Sequence, residues 1–216
     1  MTFEMTRRSL LAGLVLAPVG VALAATKTFG AATPAPVRAG QSSRSGSNYF
    51  PDFVLQTHEG KDVRFYEDLL KGKVVLINFF YAKCKKFCPP QTMNLVKVQN
   101  LLGSRLGRDV FMYSLTLEPE VDTPEVLKEY AEEHGAKSGW KFLTGKPEEM
   151  EILRRKLGFV DPDPVVDKDS SSHVGMVLYG NETRNMWSAC PALTKPEEIV
   201  RYVGWVIDPA NSAPIA

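Results

Sequence analysis

The apolar run KVVLINFF, residues 73–80, constrains the fold more than any other stretch of this chain. Its apolar residues follow one another almost without interruption, whereas a strand with one face in water alternates apolar and polar residues. A short continuous run of this kind is typical of a strand that is buried on both faces. We therefore predict an α/β domain in which helices cover a central sheet.

The segments on either side of this run alternate between strand and helix patterns, and they show no internal repeat. Apolar residues between 95 and 102 recur at helical spacing, and Gly103 is the predicted stop. Thr123 and Thr194 each precede a proline-containing helix start and are predicted N-caps. The predicted strands are DVFMYSLTL, WKFLT, HVGMVLY and TRNMWS, and the predicted helices are PEVLKEYAEEHG, PEEMEILRRKLG and KPEEIVRYVGWVI.

Two further strands, DFVLQT and KDVRFY, precede the apolar run and flank the turn His58-Glu59-Gly60-Lys61. This arrangement predicts a hairpin. Strands that alternate with helices favour a layered α/β structure. We expect a central mixed sheet flanked by helices, with the hairpin as an N-terminal extension.

The N-terminal segment has the pattern of an export signal. Arg7 and Arg8 precede the apolar run AGLVLAPVGVALA, which ends at an A-x-A site. The run is short for a membrane span and Pro18 interrupts it, so we predict a twin-arginine-type signal peptide over 1–24, with a retained anchor as the alternative. We further predict a flexible linker over 25–48, a folded domain over 49–210 outside the cytoplasm and a tail over 211–216.

The net charge argues against one class of partner. The whole chain carries +1, and removing residues 1–24 takes away two arginines and one glutamate, which leaves 0. A neutral domain gives no support for nucleic-acid binding. Membrane association is expected only if the N-terminal segment is retained.

Two of the three cysteines lie in YAKCKKFCPP, residues 81–90, directly after the buried strand. Cys84 follows the strand and Cys88 begins a helix, and ligands bind at this edge of an open α/β sheet. The positive end of the helix and the neighbouring lysines lower thiol pKa values, so we expect thiolates. Two thiolates can hold one soft metal ion or close into a disulfide. An iron–sulfur cluster needs four cysteines, which leaves copper or zinc.

One histidine is a candidate third ligand. His173 immediately precedes the strand VGMVLY, which can place it at the edge of the sheet where the cysteine pair lies. His58, in the hairpin turn, and His134, at a helix end, are predicted surface residues. Cys190, in the loop SACPAL, is predicted to be a spare thiol.

Other soft side chains leave further arrangements open. Cys190 could instead complete a Cys₃His zinc site with the pair and His173, or form a bond between two molecules. Met176 and Met186 are soft side chains at alternate strand positions, where packing is the usual role.

The arrangement resembles the SCO/SenC proteins, thioredoxin-fold copper-binding proteins associated with assembly of the copper centre of cytochrome c oxidase. The resemblance covers roughly Phe50 to Val206 and rests on the opening PDFVLQTHEGKDVRFYEDLLKGKVVLINFFYAKC, the CxxxCP element and EPEVDTPEVLKEYAEEHG. It implies a thioredoxin-like fold, with Cys84, Cys88 and His173 as ligands of Cu(I) and Cu(II). In the family the histidine commonly follows a Val-Asp pair almost directly, whereas here five residues separate Val166-Asp167 from His173.

These observations together predict an exported copper metallochaperone that binds and transfers one ion without catalytic turnover. Its expected partners are a cuproprotein acceptor, such as a cytochrome c oxidase subunit, and a thiol reductant. The alternative is a periplasmic thiol–disulfide reductase that cycles Cys84 and Cys88 without copper. Two features argue against the reductase. Thioredoxin-type enzymes use CxxC and a proline that faces the cysteines, whereas this chain has CxxxC and the facing pair His173-Val174. Ile77 and Tyr81 stand where a peroxiredoxin has Pro and Thr, which argues against that peroxidase.

Overall fold

The structure is a computed structural model that describes residues 49–168 and 175–207. Its strands are β1 Val54–Thr57, β2 Asp62–Arg64, β3 Val74–Phe80, β4 Val110–Thr116, β5 Trp140–Thr144, β6 Met176–Asn181 and β7 Met186–Pro191. Its α-helices are α1 Cys88–Leu102, α2 Pro124–Glu133, α3 Pro147–Lys156, α4 Pro164–Lys168 and α5 Pro196–Val206. A π-helical segment spans Phe65–Leu70, and a 3₁₀ turn spans Gly103–Arg105.

The seven strands form one mixed sheet in the order β2-β1-β5-β4-β3-β6-β7. Strands β3, β4 and β5 run parallel, so their carboxyl ends meet at one edge of the sheet. Strand β6 pairs antiparallel with β3, and β7 antiparallel with β6. The predicted hairpin is confirmed: β1 pairs with β2 and also extends the sheet beside β5. The predicted central mixed sheet is therefore confirmed as well.

Strand β3 is buried on both faces, as the apolar run predicts. Val75 and Ile77 point into a core that includes residues of the π-helical segment and α3. Leu76 and Phe80 point into the opposite core, which includes residues of α1, α2 and α5. Because successive strand residues face opposite sides, a strand between two apolar cores needs apolar residues at nearly every position.

Helix starts largely follow the sequence signals, with one exception. The Thr123 hydroxyl accepts a hydrogen bond from the Val126 N–H at 3.4 Å, which confirms Thr123 as the N-cap of α2. The predicted cap at Thr194 is wrong, because Lys195 occupies the N-cap position of α5 and makes no side-chain cap. Instead the Thr194 carbonyl oxygen accepts a hydrogen bond from the Asn94 amide at 2.7 Å.

Three further boundaries differ from the sequence prediction. The π-helical segment begins at Phe65 and ends the second hairpin strand early, where the backbone N–H groups of Tyr66 and Glu67 donate to the Asp52 carboxylate. Helix α4 was not predicted, because five residues are too few for a periodic pattern. Cys190 belongs to strand β7, opposite Val177, and not to a loop.

Several predictions concern parts of the chain outside the described residues. These are the signal peptide over 1–24, the linker over 25–48, the position of His173 and the tail over 211–216. Within 49–168 and 175–207, no helix has both the length and the apolar character that crossing a membrane requires.

Candidate metal centre

Cys84 and Cys88 lie in the connection from β3 to α1, at the sheet edge that the sequence predicts. Cys84 occupies a turn, and its N–H donates to the Tyr81 carbonyl at 3.2 Å. Cys88 is the first residue of α1, and Pro89 and Pro90, which have no N–H, follow it. The N–H of Cys88 donates to the sulfur of Cys84 at 3.2 Å. The sulfur of Cys84 therefore accepts the first N–H of the helix.

Both thiols are free but shielded, with Cys84 7% exposed and Cys88 1% exposed. Burial by itself would raise the pKa of Cys84, but hydrogen bonds outweigh it and lower that pKa from 9.0 to about 7. The donors are the Cys88 thiol and N–H, the Tyr81 hydroxyl and the Lys86 N–H. Because a hydrogen bond to the charged form favours that form, a large share of Cys84 is ionised near neutral pH, in contrast to a free thiol.

The pKa of Cys88 moves in the opposite direction. Burial, and after it the hydrogen bond that the Cys88 thiol donates to Cys84, raise it from 9.0 to about 12. The expectation that both thiols have lowered pKa values is thus correct for Cys84 and wrong for Cys88. The pair consists of one thiolate and one thiol that share a hydrogen bond.

A buried carboxylate holds the loop that carries Cys84. Asp122, in the loop before α2, is 0% exposed. Its Oδ2 accepts hydrogen bonds from the Ala82 N–H at 3.0 Å and from the Thr116 hydroxyl at 2.5 Å. Its Oδ1 has no hydrogen-bond partner among the described residues. Asp122 therefore ties the cysteine loop to the carboxyl end of β4.

Aromatic residues form the wall of the core that contains the two sulfurs. The Thr92 and Tyr130 hydroxyl oxygens lie 2.7 Å apart, and the ring centroids of Tyr130 and Phe80 lie 5.0 Å apart. Burial raises the pKa of Tyr130 to about 12, so this hydroxyl stays neutral at physiological pH. The core side of the pair is thus lined by uncharged groups.

His173 lies outside the described residues, but both flanks of its segment are described. On the C-terminal side, Gly175 packs against Gln91, one helical turn after Cys88. A Cβ on Gly175 would lie 2.6 Å from Gln91 Nε2, a contact too short for any side chain to adopt without movement. The Gly175 carbonyl oxygen also accepts a hydrogen bond from the Ala192 N–H at 2.8 Å. The start of β6 is therefore fixed beside the first turns of α1.

On the N-terminal side, Asp167 is held by an ion-pair network. The Arg154 guanidinium donates two hydrogen bonds to its carboxylate, at 2.7 and 2.9 Å, and Arg155 donates a third at 3.1 Å. The Asp161 N–H donates to the same carboxylate at 2.9 Å. The Arg154 hydrogen bonds are the main reason that the pKa of Asp167 lies far below its ordinary value.

Cys190 lies in the same apolar core as Cys84 and Cys88. Cys190 is buried, and burial raises the pKa of its thiol although Thr194 hydrogen-bonds it. In residues 49–168 and 175–207, no three or more His, Cys, Asp and Glu side chains are grouped to hold a metal ion, so Cys190 does not join Cys84 and Cys88 there. This placement gives no support to the Cys₃His zinc site.

The methionines and the other histidines also have packing roles. Met176 and Met186 pack against opposite cores, as expected for alternating strand residues. His58 and His134 are half-buried and not fully on the surface: His58 Nδ1 accepts the Phe142 N–H at 3.2 Å, and His134 stacks on Tyr130.

Three residues of the site were not identified from the sequence. In the sequence, Tyr81 stands out only as a departure from the peroxiredoxin pattern, and neither Asp122 nor Gln91 stands out. The sequence does show that Tyr81 and Asp122 follow the ends of β3 and β4, at the edge where the cysteines lie. Gln91 has no comparable signal, because its burial depends on the start of β6.

Comparisons with known proteins agree with this architecture. The family model described as SCO1/SenC matches residues 41–208. The SCO1 protein homolog of Bacillus subtilis is 34% identical over 108 residues, which are 49% of this chain and 54% of that protein. The chain thus spans about half of the length of that relative. A protein of Stutzerimonas stutzeri named for copper binding is 27% identical over 71% of this chain and 76% of its own length.

A solved structure gives the same result for the fold. BsSco, described as a member of the Sco family of cytochrome c oxidase assembly proteins with a disulfide switch, superposes with a TM-score of 0.59. It is 26% identical and covers 71% of this chain and 90% of its own. The predicted thioredoxin-like fold is therefore confirmed.

Proposed function

This chain belongs to the SCO1/SenC family, and from that premise we propose that it is a copper metallochaperone whose ligands are the Cys84 and Cys88 sulfurs and the His173 imidazole. SCO homologues are copper-binding proteins. Copper is here the cargo, and the proposed activity is binding and transfer to an apo-cuproprotein. The acceptor that we propose is a cytochrome c oxidase subunit, which BsSco's description as an oxidase assembly protein supports.

The observation that carries the proposal is the pair of free sulfurs linked by a hydrogen bond at the sheet edge. Soft thiolates select Cu(I), and their shielding from water protects the ion from competing ligands. Cys84 ionises far more readily than Cys88, so it can bind first. Cys88 must lose its proton when the second sulfur–metal bond forms, which couples binding to proton release.

The described flanks support His173 as the third ligand. Gly175 is fixed beside Gln91, one helical turn from Cys88. His173 is only two residues before Gly175, and an extended chain spans at most about 3.3–3.6 Å per residue. This reach is compatible with a His173 ligand at the pair. A nitrogen ligand also suits Cu(II), which a site of two sulfurs alone holds less well.

In transfer, partner ligands replace the three ligands of this chain one at a time. Copper remains Cu(I), and each Cu–S bond that breaks here is matched by one that forms on the acceptor. Oxidation switches binding off: the thiolate–thiol pair loses two electrons and one proton to an external oxidant and becomes a disulfide, whose sulfurs are poor ligands. A thiol reductant is then needed before the protein can bind copper again.

The experiment that tests the proposal is copper titration of reduced mature protein and two variants. Cys88→Ser should weaken Cu(I) binding by on the order of 100-fold or more, because one of two sulfurs is lost. His173→Ala should leave Cu(I) binding by the sulfurs nearly intact and change the Cu(II) absorption spectrum. Wild-type Cu(I) affinity in Cys88→Ser contradicts the two-sulfur site, and an unchanged Cu(II) spectrum in His173→Ala removes the histidine.

One observation favours a second candidate, thiol–disulfide reduction. The thiolate of Cys84 beside the protonated Cys88 thiol matches an attacking and a resolving thiol. Cys84 would attack a substrate disulfide and release one substrate thiol; Cys88 would then attack Cys84, release the second and leave a Cys84–Cys88 disulfide. Rapid reduction of a test disulfide by metal-free protein that binds no Cu(I) would favour this function over the chaperone.

For location, we propose export by the twin-arginine-type signal. The support is sequence alone: Arg7-Arg8, the short apolar run and the A-x-A site. N-terminal sequencing of the protein recovered from the periplasm tests this. A new N-terminus after Ala24 is expected, and an intact N-terminus in the membrane fraction would support the anchor instead.

A further inference from the structure

The loop between and before the two cysteines presents positive charge to solvent. Lys83, Lys85, Lys86 and Phe87 are all exposed, whereas the cysteines beside them are buried. The exposed part of this loop therefore carries three ammonium groups and a phenyl ring, next in sequence to the two cysteines. We call these four residues the lysine rim.

The cations of the lysine rim have no acidic partner within the described chain. None of the ion pairs in residues 49–168 and 175–207 includes any of the three lysines. Glu118 and Glu120, in the loop after β4 at the same sheet edge, form no ion pair with them either. Unpaired exposed cations retain their full attraction for a negative surface outside the molecule.

Phe87 adds an apolar feature to the same rim. Its side chain is 42% exposed, although it stands at the N-cap position of α1, where a polar residue would cap the helix. The Lys86 ammonium lies 4.9 Å from the centre of its ring. An exposed aromatic residue beside a charged one resembles the anchor of a protein interface with its polar rim.

We propose that the lysine rim is the docking surface for the copper acceptor, and that it selects an acceptor whose own metal site is surrounded by carboxylates and exposes an apolar contact for Phe87. This inference rests on the proposed function, since it names the partner chemistry of the same site. The charge acts on association, because exposed charges steer encounter more than they add to affinity. Copper stays Cu(I) throughout, and two Cu–S bonds form on the acceptor as two break here.

The test uses two synthetic acceptor peptides that share one CxxxC copper-binding core. One peptide carries Asp and Glu around the core, and the other carries Ser and Gln. Stopped-flow measurement follows Cu(I) transfer from loaded wild-type protein and from K83Q/K85Q/K86Q. The variant should bind Cu(I) as tightly as wild type, transfer it about tenfold more slowly to the acidic peptide at low salt, and transfer it equally to the neutral peptide. The difference should vanish at high salt.

A control variant makes the same change in net charge at the opposite sheet edge. Lys71, Arg108 and Lys137 precede the three parallel strands there and are exposed, and Lys71 and Arg108 are paired with Glu67 and Asp109. The variant K71Q/R108Q/K137Q should transfer copper to both peptides at the wild-type rate. If it slows transfer to the acidic peptide as much as K83Q/K85Q/K86Q does, net charge and not the rim is responsible, and the proposal is wrong.

Other outcomes separate this inference from the proposed function. Wild-type protein that binds no Cu(I) refutes the chaperone itself. Intact copper binding with equally slow transfer to both peptides shows that the lysines act on the thiols and not on the partner. If K83Q/K85Q/K86Q differs from wild type only in binding to vesicles of anionic phospholipid, the rim is a membrane contact. Either of the last two results overturns the docking proposal.

Discussion

The split between the two thiol pKa values makes the stability of the reduced, metal-free protein depend on pH. The folded pKa of Cys84, about 7, lies below the ordinary value of 9.0. A group with a depressed pKa adds stability above its unfolded pKa and loses it as the pH falls through the folded pKa. Stability from Cys84 should therefore rise between about pH 7 and about pH 9. Cys88, with a raised pKa, contributes in the opposite sense only above that window.

The magnitude follows from the size of the shift. Each pKa unit corresponds to about 1.4 kcal/mol, so a shift of about two units supplies up to about 2.7 kcal/mol when the thiolate is fully formed. Between about pH 6.5 and about pH 8.5, the gain is roughly 1.5–2 kcal/mol. Cys84→Ala removes this contribution. It also changes the surroundings of Cys88 and Tyr81, but the raised pKa values of both groups lie above this window.

The assay is urea unfolding of wild type and Cys84→Ala, with reductant and a copper chelator, at both pH values. The free-energy difference between the two proteins should be larger at the higher pH by roughly 1.5–2 kcal/mol. Cys190→Ala, which removes a buried thiol with a raised pKa, is the matched control and should show no such change across this window. An equal difference between wild type and Cys84→Ala at both pH values refutes the hydrogen-bonded thiolate.

Three further predictions follow from the described contacts. Loading the reduced protein with one Cu(I) near pH 7.5 should release between one and two protons, and nearer one, because the Cys84 thiol is already mostly ionised at that pH. An indicator dye in weakly buffered solution measures the release, and two protons per copper would contradict the prediction. Gly180→Ala should lower the free energy of unfolding by about 1–3 kcal/mol, since its Cβ would lie 2.2 Å from the Trp187 ring. Gly60→Ala is the comparison variant: its Cβ would have no neighbour within 4 Å, so it measures the strain of a positive φ alone. Gly175→Ala should weaken Cu(II) binding severalfold in competition titrations by displacing Gln91, and equal losses of Cu(I) and Cu(II) affinity would argue against a positional effect on His173.

Much of the fold could be predicted from the sequence because local and global signals agree. The run at residues 73–80 is apolar since β3 lies between two cores, and prolines mark the helix starts. The prediction of Thr194 as an N-cap is wrong because α5 begins at Pro196, which makes Lys195 the N-cap residue. A threonine shortly before a proline resembles a cap in the sequence, but here it lies one residue too early. The π-helical segment after Arg64 was missed because its turn depends on Asp52, which is distant in sequence.

The site could be predicted in location but not in chemistry. The spacing of Cys84 and Cys88 and their position after a buried strand are readable from the sequence. Their opposite pKa shifts are not, because these depend on which sulfur accepts the hydrogen bonds and on how deeply each is buried. The contact of Asp122 with Ala82 also requires the folded chain, since forty residues separate the carboxylate from the loop that it holds.

X-ray absorption on reduced mature protein, offered Cu(I) and Zn(II) together, tests the central claim most directly. The spectra at each metal edge identify the bound ion and its ligands. The proposed site predicts one copper per chain with two sulfurs and one nitrogen, and His173→Ala should lose the nitrogen only. Bound zinc with three sulfurs, or no metal on a protein whose dithiol reduces a test disulfide, would contradict the copper chaperone.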